Sequence, residues 1–147
     1  MRCSKSGSRR FPPTSRLARR CCSSGAIARP LDQRRQKESP LKDVAGMLRS
    51  FSYAAYAALF AYTRNRPTPF DRLEAWGRAW QIWNSAAFLK GYLAVAEGAS
   101  FLPIDPVHRE TLLDLFLLDK AYYELNYELN NRPDWVRIPL RGILELV

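Results

Sequence analysis

Four side chains that could bind a small polar molecule recur at helical spacing near the end of the chain: Lys120, Tyr123, Tyr127 and Asn131. In a helix that advances by about 100° per residue, with Lys120 at 0°, the tyrosines lie at about 300° and 340° and Asn131 lies at about 20°. Tyrosine supplies a flat apolar ring and a hydroxyl, which suits a sugar with polar edges and C–H faces. We call these four residues the tyrosine stripe. A solvated face with incidental aromatics, or packing against a neighbouring domain, would explain the same pattern.

The opposite face of this helix is apolar. It lies at about 140° to 220° on the same scale and carries Leu115, Leu118, Tyr122, Leu125 and Leu129. Helical apolar spacing predicts a core face, so Tyr122 is expected to be structural and its neighbour Tyr123 functional. Glu124 and Glu128 flank the tyrosine stripe and could accept hydrogen bonds from a ligand.

The residues of a complete catalytic centre are missing from the sequence. The only histidine, His108, has no Cys or second His near it, so no metal site or catalytic triad is indicated. The glycines of the helical region are isolated, so no phosphate-binding loop or dinucleotide fingerprint is present. We therefore assign no catalytic residue, no metal ligand and no cofactor to this chain by itself.

The elements that must position the stripe are three long helices and a short one, an all-α fold. The first follows Ser39 as N-cap and Pro40 as first helical residue, and "RPTPF", with Pro67 and Pro69, stops it. The second runs from "FDRLEAW" to a cap at Gly98. The loop "SFLPIDP" precedes the third, which is expected from about Val107 to Asn130 or Asn131. The short helix is expected to start near Pro139.

Three tryptophans form a stripe on the second helix. Trp76, Trp80, Trp83 and Ala87 step by four, three and four residues. Such a stripe could be a stacking platform for sugars or bases. Because each Trp buries a large area and dominates packing, we expect it to belong to the core.

The positive charge is confined to the start of the chain. Residues 1–30 contain eight Lys or Arg and no Asp or Glu, whereas residues 38–147 contain 12 Lys or Arg and 13 Asp or Glu. All three cysteines, Cys3, Cys21 and Cys22, lie in this arm, so the rest of the chain needs no oxidising compartment. The arm could be a transit peptide, a polyanion-binding segment, or a disordered or artefactual extension, which is our expectation. No apolar run is long enough to cross a membrane.

From about Ala28 to Val147 the sequence resembles the C-terminal part of bacterial maltokinases, which often occur fused behind trehalose synthase. The resemblance rests on "ARPLDQRRQKESPLKDVAGMLRSFSYAAYAA", "AWQIWNSAAFLKGYL" and "LDKAYYELNYELNNRPDWVRIPLRGILEL". It implies an aminoglycoside-phosphotransferase-like, kinase-like fold. The family uses ATP and magnesium to phosphorylate maltose at the anomeric hydroxyl, and maltose 1-phosphate feeds α-glucan (glycogen) synthesis. Residues 38–147 would be the helical part of the C-lobe of such a cytoplasmic enzyme.

The resemblance also implies roles for individual residues. Lys120, Tyr123, Tyr127 and Asn131 would contact maltose, with Arg137 as a weaker candidate that could instead hold the terminal segment. Asp43 in "KDVAGM" would be the helix Asp that braces the catalytic loop, although it could simply be a first-turn residue favoured by the helix dipole.

The family's catalytic segments have no counterpart in this chain. Maltokinases carry an Asp-Phe-Glu-Gly stretch and a His-x-Asp loop, whereas the residues before Ala28 read "CCSSGAI". The resemblance therefore implies a truncated maltokinase that is inactive alone, with maltose and a trehalose synthase domain as partners. The alternative is a helical binding module whose basic arm contacts nucleic acid or another acidic partner, with an affinity that falls steeply with salt.

Overall fold

The computed structural model describes residues 37–66 and 69–146, and residues 38–147 form one compact unit. The described residues are helical and contain no strand. The all-α prediction is therefore confirmed for this part of the chain. The basic arm 1–30, its three cysteines and Pro67 lie outside the described residues, so the expectations about them stay predictions.

The first helix, α1, spans Leu41–Thr63. The Ser39 hydroxyl accepts a hydrogen bond from the Leu41 amide at 3.3 Å. Asp43 lies in the first turn, where the helix dipole stabilises a negative charge. The helix begins at Leu41 with Pro40 in the N-cap position, one residue later than predicted, and the Ser39 hydroxyl still accepts a hydrogen bond from its first amide.

Helix α2 spans Phe70–Ala96 and follows Pro69 directly. Glu97 is the C-cap of this helix, and the following residue, Gly98, adopts the left-handed conformation with φ 77°. A side chain with a Cβ is disfavoured in that conformation, so the predicted glycine cap is confirmed.

Helix α3 spans Pro106–Asn131, close to the predicted bounds. Asp105 caps it by accepting a hydrogen bond from the Val107 amide at 2.9 Å, and Pro106 occupies the first turn, where its missing N–H costs nothing. After α3 come a single 3-10 turn, Pro133–Trp135, and a last helix, α4, at Arg137–Leu144. The short helix therefore begins two residues earlier than Pro139.

Helix α1 packs against both α2 and α3. Ring contacts of Phe51 with Phe88 and of Phe60 with Phe70 show that α1 and α2 run antiparallel. Arg49 meets Glu124 and Tyr53 meets Glu128 four residues further along, so α1 and α3 run parallel. The apolar core lies where the three helices converge, around Leu41, Val44, Leu48, Ala96 and Leu102.

The predicted burial of the tryptophan stripe is wrong. Trp76 and Trp83 are each 77% exposed and Trp80 is 47% exposed. Helix α2 instead turns Phe88, Leu89, Tyr92 and Leu93 toward the core. Trp80 contacts Phe51 of α1 with 6.3 Å between the ring centroids, and Trp76 and Trp80 line an open groove between α1 and α2, so these rings touch α1 without being enclosed.

The predicted core face of α3 is also wrong for Leu115, Tyr122 and Leu129, whereas Leu118 and Leu125 are half-buried. Tyr122 is 62% exposed, and Leu115 and Leu129 are each 57% exposed. The buried residues are Ala121, Glu124 and Glu128, which lie at about 100°, 40° and 80° from Lys120 around the helix. Tyr122 is therefore not a core residue, and its removal would open no cavity within this fold.

Two carboxylates, Glu124 and Glu128, can face the interior because Arg49 and Tyr53 of α1, together with Arg132 at the end of α3, supply partners for them. The Arg49 side chain, 5% exposed, donates from Nε to Glu124 Oε2 at 2.9 Å and from Nη2 to the Ile138 carbonyl at 3.3 Å. A Cβ on Gly142 would overlap the Arg49 guanidinium, so the glycine leaves room for this guanidinium beneath α4. Arg49 thereby connects α1, α3 and α4.

We expect Arg49→Met to lower the free energy of unfolding by about 3–5 kcal/mol, because the Glu124 carboxylate would stay buried without its cation. Arg78→Met is the matched control. Arg78 pairs with Glu145 at 3.1 Å, but both side chains are more than a third exposed, so its loss should cost less than about 1 kcal/mol. Urea unfolding of the two variants measures the difference, and equal losses would contradict the role given to Arg49.

Candidate functional site

The tyrosine stripe runs along the last three turns of α3. Because α3 is continuous to Asn131, its four residues share one side of the helix. Lys120 and Tyr127 are half-buried, Tyr123 is 45% exposed and Asn131 is exposed. The stripe therefore borders the buried face rather than opposing it, and it is open to a ligand from one side.

Cations lie over both tyrosine rings. The Lys120 ammonium is 5.1 Å from the centroid of the Tyr123 ring, and the Arg132 guanidinium is 5.5 Å from that of Tyr127. Such contacts restrict the ring and the cation together, because the ring face attracts positive charge. The Asn131 amide donates to the Tyr127 carbonyl at 2.8 Å, which orients that side chain along its own helix.

Glu124 and Glu128, the carboxylates beneath the stripe, accept hydrogen bonds from other side chains of the protein. Glu128 is 1% exposed. It accepts from the Tyr53 hydroxyl at 3.0 Å and from two Arg132 nitrogens at 2.8 and 2.6 Å. Glu124 is held by Arg49. The expectation that Glu124 or Glu128 faces a ligand is therefore not met, since both face the interior and hold the helix that carries the stripe.

Burial changes the acidity of this network. It raises the pKa of Glu124 above its ordinary value of 4.5, although the Arg49 charge and hydrogen bond act in the opposite direction. Burial, with the nearby charges of Glu124 and Glu128, also raises the pKa of the Tyr53 hydroxyl, so this group stays a neutral donor to Glu128.

An aromatic cluster closes one end of the stripe. The Trp135 ring stacks on Tyr53 with 6.2 Å between centroids, contacts Phe60 at 5.6 Å, and has the Arg132 guanidinium 4.5 Å from its own centroid. Arg132 thus spans from Trp135 to Tyr127. The sequence analysis missed Arg132 and Trp135, for which the only local signal is the "NRPDW" segment directly after the helix.

Arg137 lies outside the stripe, in a separate cluster. It donates to Glu74 at 2.6 Å, lies 3.6 Å from Asp71, and has its guanidinium 4.8 Å from the Phe70 centroid. The Tyr56 hydroxyl donates to the same Glu74, and burial together with this bond raises the pKa of Tyr56 to about 12. Arg137 therefore connects α4 to the start of α2, as expected if its role is to hold the terminal segment in place.

Asp43 is exposed in the first turn of α1. The stripe is level with the middle of α1, because Glu124 meets Arg49 and Glu128 meets Tyr53. By the same offset of 75 residues, Asp43 is level with Leu118, about half a helical turn before Lys120 at the start of the stripe. Within the described residues no three His, Cys, Asp or Glu side chains are arranged to hold a metal ion.

A second feature with room for a ligand is an apolar groove between α1 and α2. Its volume is about 400 Å³. Small residues line one part and larger apolar side chains the other: Ala54, Ala55, Ala58, Leu59, Tyr62, Leu73, Trp76, Gly77 and Trp80. Apart from the Tyr62 hydroxyl, the lining side chains offer few polar groups to orient a ligand.

No known protein-family model matches the chain. None of the helices in the described residues has the length and apolar character required to cross a membrane.

Glu124 gives the fold a pH dependence. Because its pKa is higher in the fold than in the unfolded chain, its stabilising contribution is fully present below about pH 4.5 and is lost as the pH rises through the higher value. We expect the free energy of unfolding of the native chain, minus that of Glu124→Gln, to fall as the pH is raised from 4.5 toward neutrality. Urea titrations at several pH values measure it, and a difference that grows with pH would contradict this.

Proposed function

We propose that residues 38–147 are the helical sub-domain of a maltokinase-like phosphotransferase, and that the tyrosine stripe of α3 forms one wall of its maltose pocket. The observation that carries this proposal is the stripe itself. It is a continuous, partly exposed row of two tyrosines, a lysine and an asparagine on a helix anchored from below by buried carboxylates. The resemblance of the three quoted segments to maltokinases adds the identity of the sugar.

The chemistry of the stripe suits a saccharide. A sugar ring has C–H faces that pack on an aromatic ring and hydroxyls that need donors and acceptors, and the Tyr123 and Tyr127 side chains offer both. Lys120 adds a charged donor at one end. Since Glu124, Glu128 and Arg132 engage one another or other protein groups beneath and beside the rings, a ligand would meet a supported wall.

Phosphoryl transfer needs more than this wall. In the family, ATP supplies the phosphoryl group and magnesium stabilises its charge. A metal-binding Asp holds the magnesium, and a catalytic base accepts the proton of the sugar hydroxyl. This sequence has no Asp-Phe-Glu-Gly or His-x-Asp segment. We therefore propose that the chain by itself binds sugar weakly and transfers no phosphoryl group, and that it acts with the remaining parts of a cytoplasmic kinase and a trehalose synthase domain.

Maltose binding can be tested on the full chain. We expect titration with maltose to shift the amide signals of residues 120–131 in ¹H–¹⁵N NMR spectra. Tyr127→Ala should abolish these shifts, because it removes a ring and a hydroxyl from the wall. Tyr122→Ala is the matched control. It makes the same change on the same helix, but at a residue that is 62% exposed on another side, so the shifts should remain. Maltose-induced shifts confined to Trp76 and Trp83 would refute the site.

The predicted lack of turnover is tested separately. The purified chain, incubated with ATP, magnesium and maltose, should form no maltose 1-phosphate, because it lacks the metal-binding and base segments. A product that depends on maltose and on added chain would overturn this part of the proposal while leaving the binding result intact.

A further inference from the structure

Small residues form the floor of the apolar groove between α1 and α2. On α1 the groove is lined by Ala54, Ala55 and Ala58, and on α2 by Gly77. A Cβ on Gly77 would lie 2.8 Å from Leu59 Cδ1, so Leu59 packs directly on this glycine. The volume of about 400 Å³ that remains open above the floor is within the range of small-molecule sites.

The groove is long and narrow. Because α1 and α2 run antiparallel, it extends from Ala54 and Trp80 at one end to Tyr62 and Leu73 at the other. From Ala54 to Tyr62 a helix rises by about 12 Å, at about 1.5 Å per residue. Trp80 bounds the first end by contacting Phe51, with 6.3 Å between the ring centroids. The shape therefore suits a linear apolar chain that lies along the two helices.

Carboxylates are scarce along this groove. Residues 44–70 and 75–96 contain no Asp or Glu. The two acidic residues at the start of α2, Asp71 and Glu74, both contact Arg137 of α4. An anionic group in the groove would therefore not be repelled by an unpaired carboxylate of these segments.

A cation lies at the end of the groove that is next to the α1–α2 connection. The Arg66 guanidinium is 4.1 Å from the centroid of the Tyr62 ring, which lines the groove. Arg66 is exposed and makes no ion pair with a carboxylate of the described residues. A second exposed cation, Arg72, lies one turn before Trp76 on α2. These charges complement an apolar molecule that carries an anionic group at one end.

We propose that the groove binds a fatty acid of medium chain length, with the chain along α1 between Ala54 and Tyr62 and the carboxylate beside Arg66. In an extended chain each C–C bond of about 1.5 Å advances by about 1.25 Å, so about ten carbons span the groove. The rings of Trp76 and Trp80 would cover the chain, and burial of its apolar surface would supply most of the affinity.

This site is separate from the tyrosine stripe. With Leu59 at 0° around α1, Ala58 lies at about 260°, whereas Tyr53 lies at about 120°. Tyr53 is the residue that bonds to Glu128 beneath the stripe. The groove and the stripe are therefore on different sides of α1, and the proposal does not depend on maltose binding.

The tryptophan indole signals test the site on the full chain. In ¹H–¹⁵N NMR spectra, decanoate added below its micelle concentration should shift the indole signals of Trp76 and Trp80. The signal of Trp135 should not move, because that ring packs on Tyr53 and Phe60, on another side of α1. Acetate, which has the same head group without the chain, should shift neither. A decanoate titration that leaves Trp76 and Trp80 unchanged would overturn the proposal.

Ala58→Leu tests the location. The larger side chain would occupy the groove, so the decanoate shifts should disappear. Ala58 is exposed, so the variant should fold, which its circular dichroism spectrum checks. Ala75→Leu is the matched control, since it makes the same change at an exposed alanine of α2 outside the groove lining, and the shifts should remain. Shifts that survive Ala58→Leu, or that both variants remove, would refute this location.

Arg66→Met tests the placement of the carboxylate. It should weaken decanoate binding by about two- to five-fold, the effect of losing an exposed ion pair. Decanol has no charge, so its affinity should be the same for Arg66→Met and for the native chain. Arg64→Met is the matched control, because Arg64 is an exposed cation two residues away that is not stacked on Tyr62. Equal weakening by the two variants would contradict the role given to Arg66.

Lipid vesicles distinguish a single fatty acid from a membrane surface. The native chain and Ala58→Leu should bind equally to vesicles of phosphatidylcholine and phosphatidylglycerol, because a site for one chain does not depend on a bilayer. Vesicle binding that is lost with Ala58→Leu, in a chain that shows no decanoate shifts, would identify the groove as a lipid-surface contact and overturn the proposal.

Discussion

The buried pair of Arg49 and Glu124 is the interaction on which the arrangement of the helices depends. Ion pairs out of water are costly unless both charges are fully bonded. Here the guanidinium satisfies Glu124 and the Ile138 carbonyl, and the nearby Glu128 is satisfied by Tyr53 and Arg132. These bonds fix the rotation of α3 about its own axis. They also bring α4 over the pair, where Gly142 leaves room for the guanidinium.

The rotation of α3 decides which of its surfaces are exposed. Since the face with Glu124 and Glu128 points inward, the tyrosine stripe lies at the border of the interior, while Leu115, Tyr122 and Leu129 are exposed. The proposed sugar wall follows from this orientation.

Glu74 is the centre of a second polar cluster, which connects α1, α2 and α4. Glu74 receives hydrogen bonds from Tyr56 and Arg137 and lies 3.8 Å from an Arg141 nitrogen, so α1, α2 and α4 meet there. The eight-residue α4 has little stability of its own at that length. It is held by Arg49 through Ile138 and by Glu74 through Arg137. Charged contacts therefore stabilise the site helix and the final helix in addition to apolar packing.

For the part of the chain that the structure describes, the sequence by itself determined the number of helices and most of their ends, because those depend on local signals such as Ser39, Pro69 and Gly98. It also placed Lys120, Tyr123, Tyr127 and Asn131 on one side of α3, which follows from helical geometry alone. Only the tertiary structure decided which side of each helix is buried. Apolar spacing predicted burial of Tyr122 and of the tryptophans at 76, 80 and 83, and both predictions were wrong. Arg49, 75 residues before Glu124, makes a charged face of α3 suitable for burial, and no local pattern in α3 shows that this partner exists.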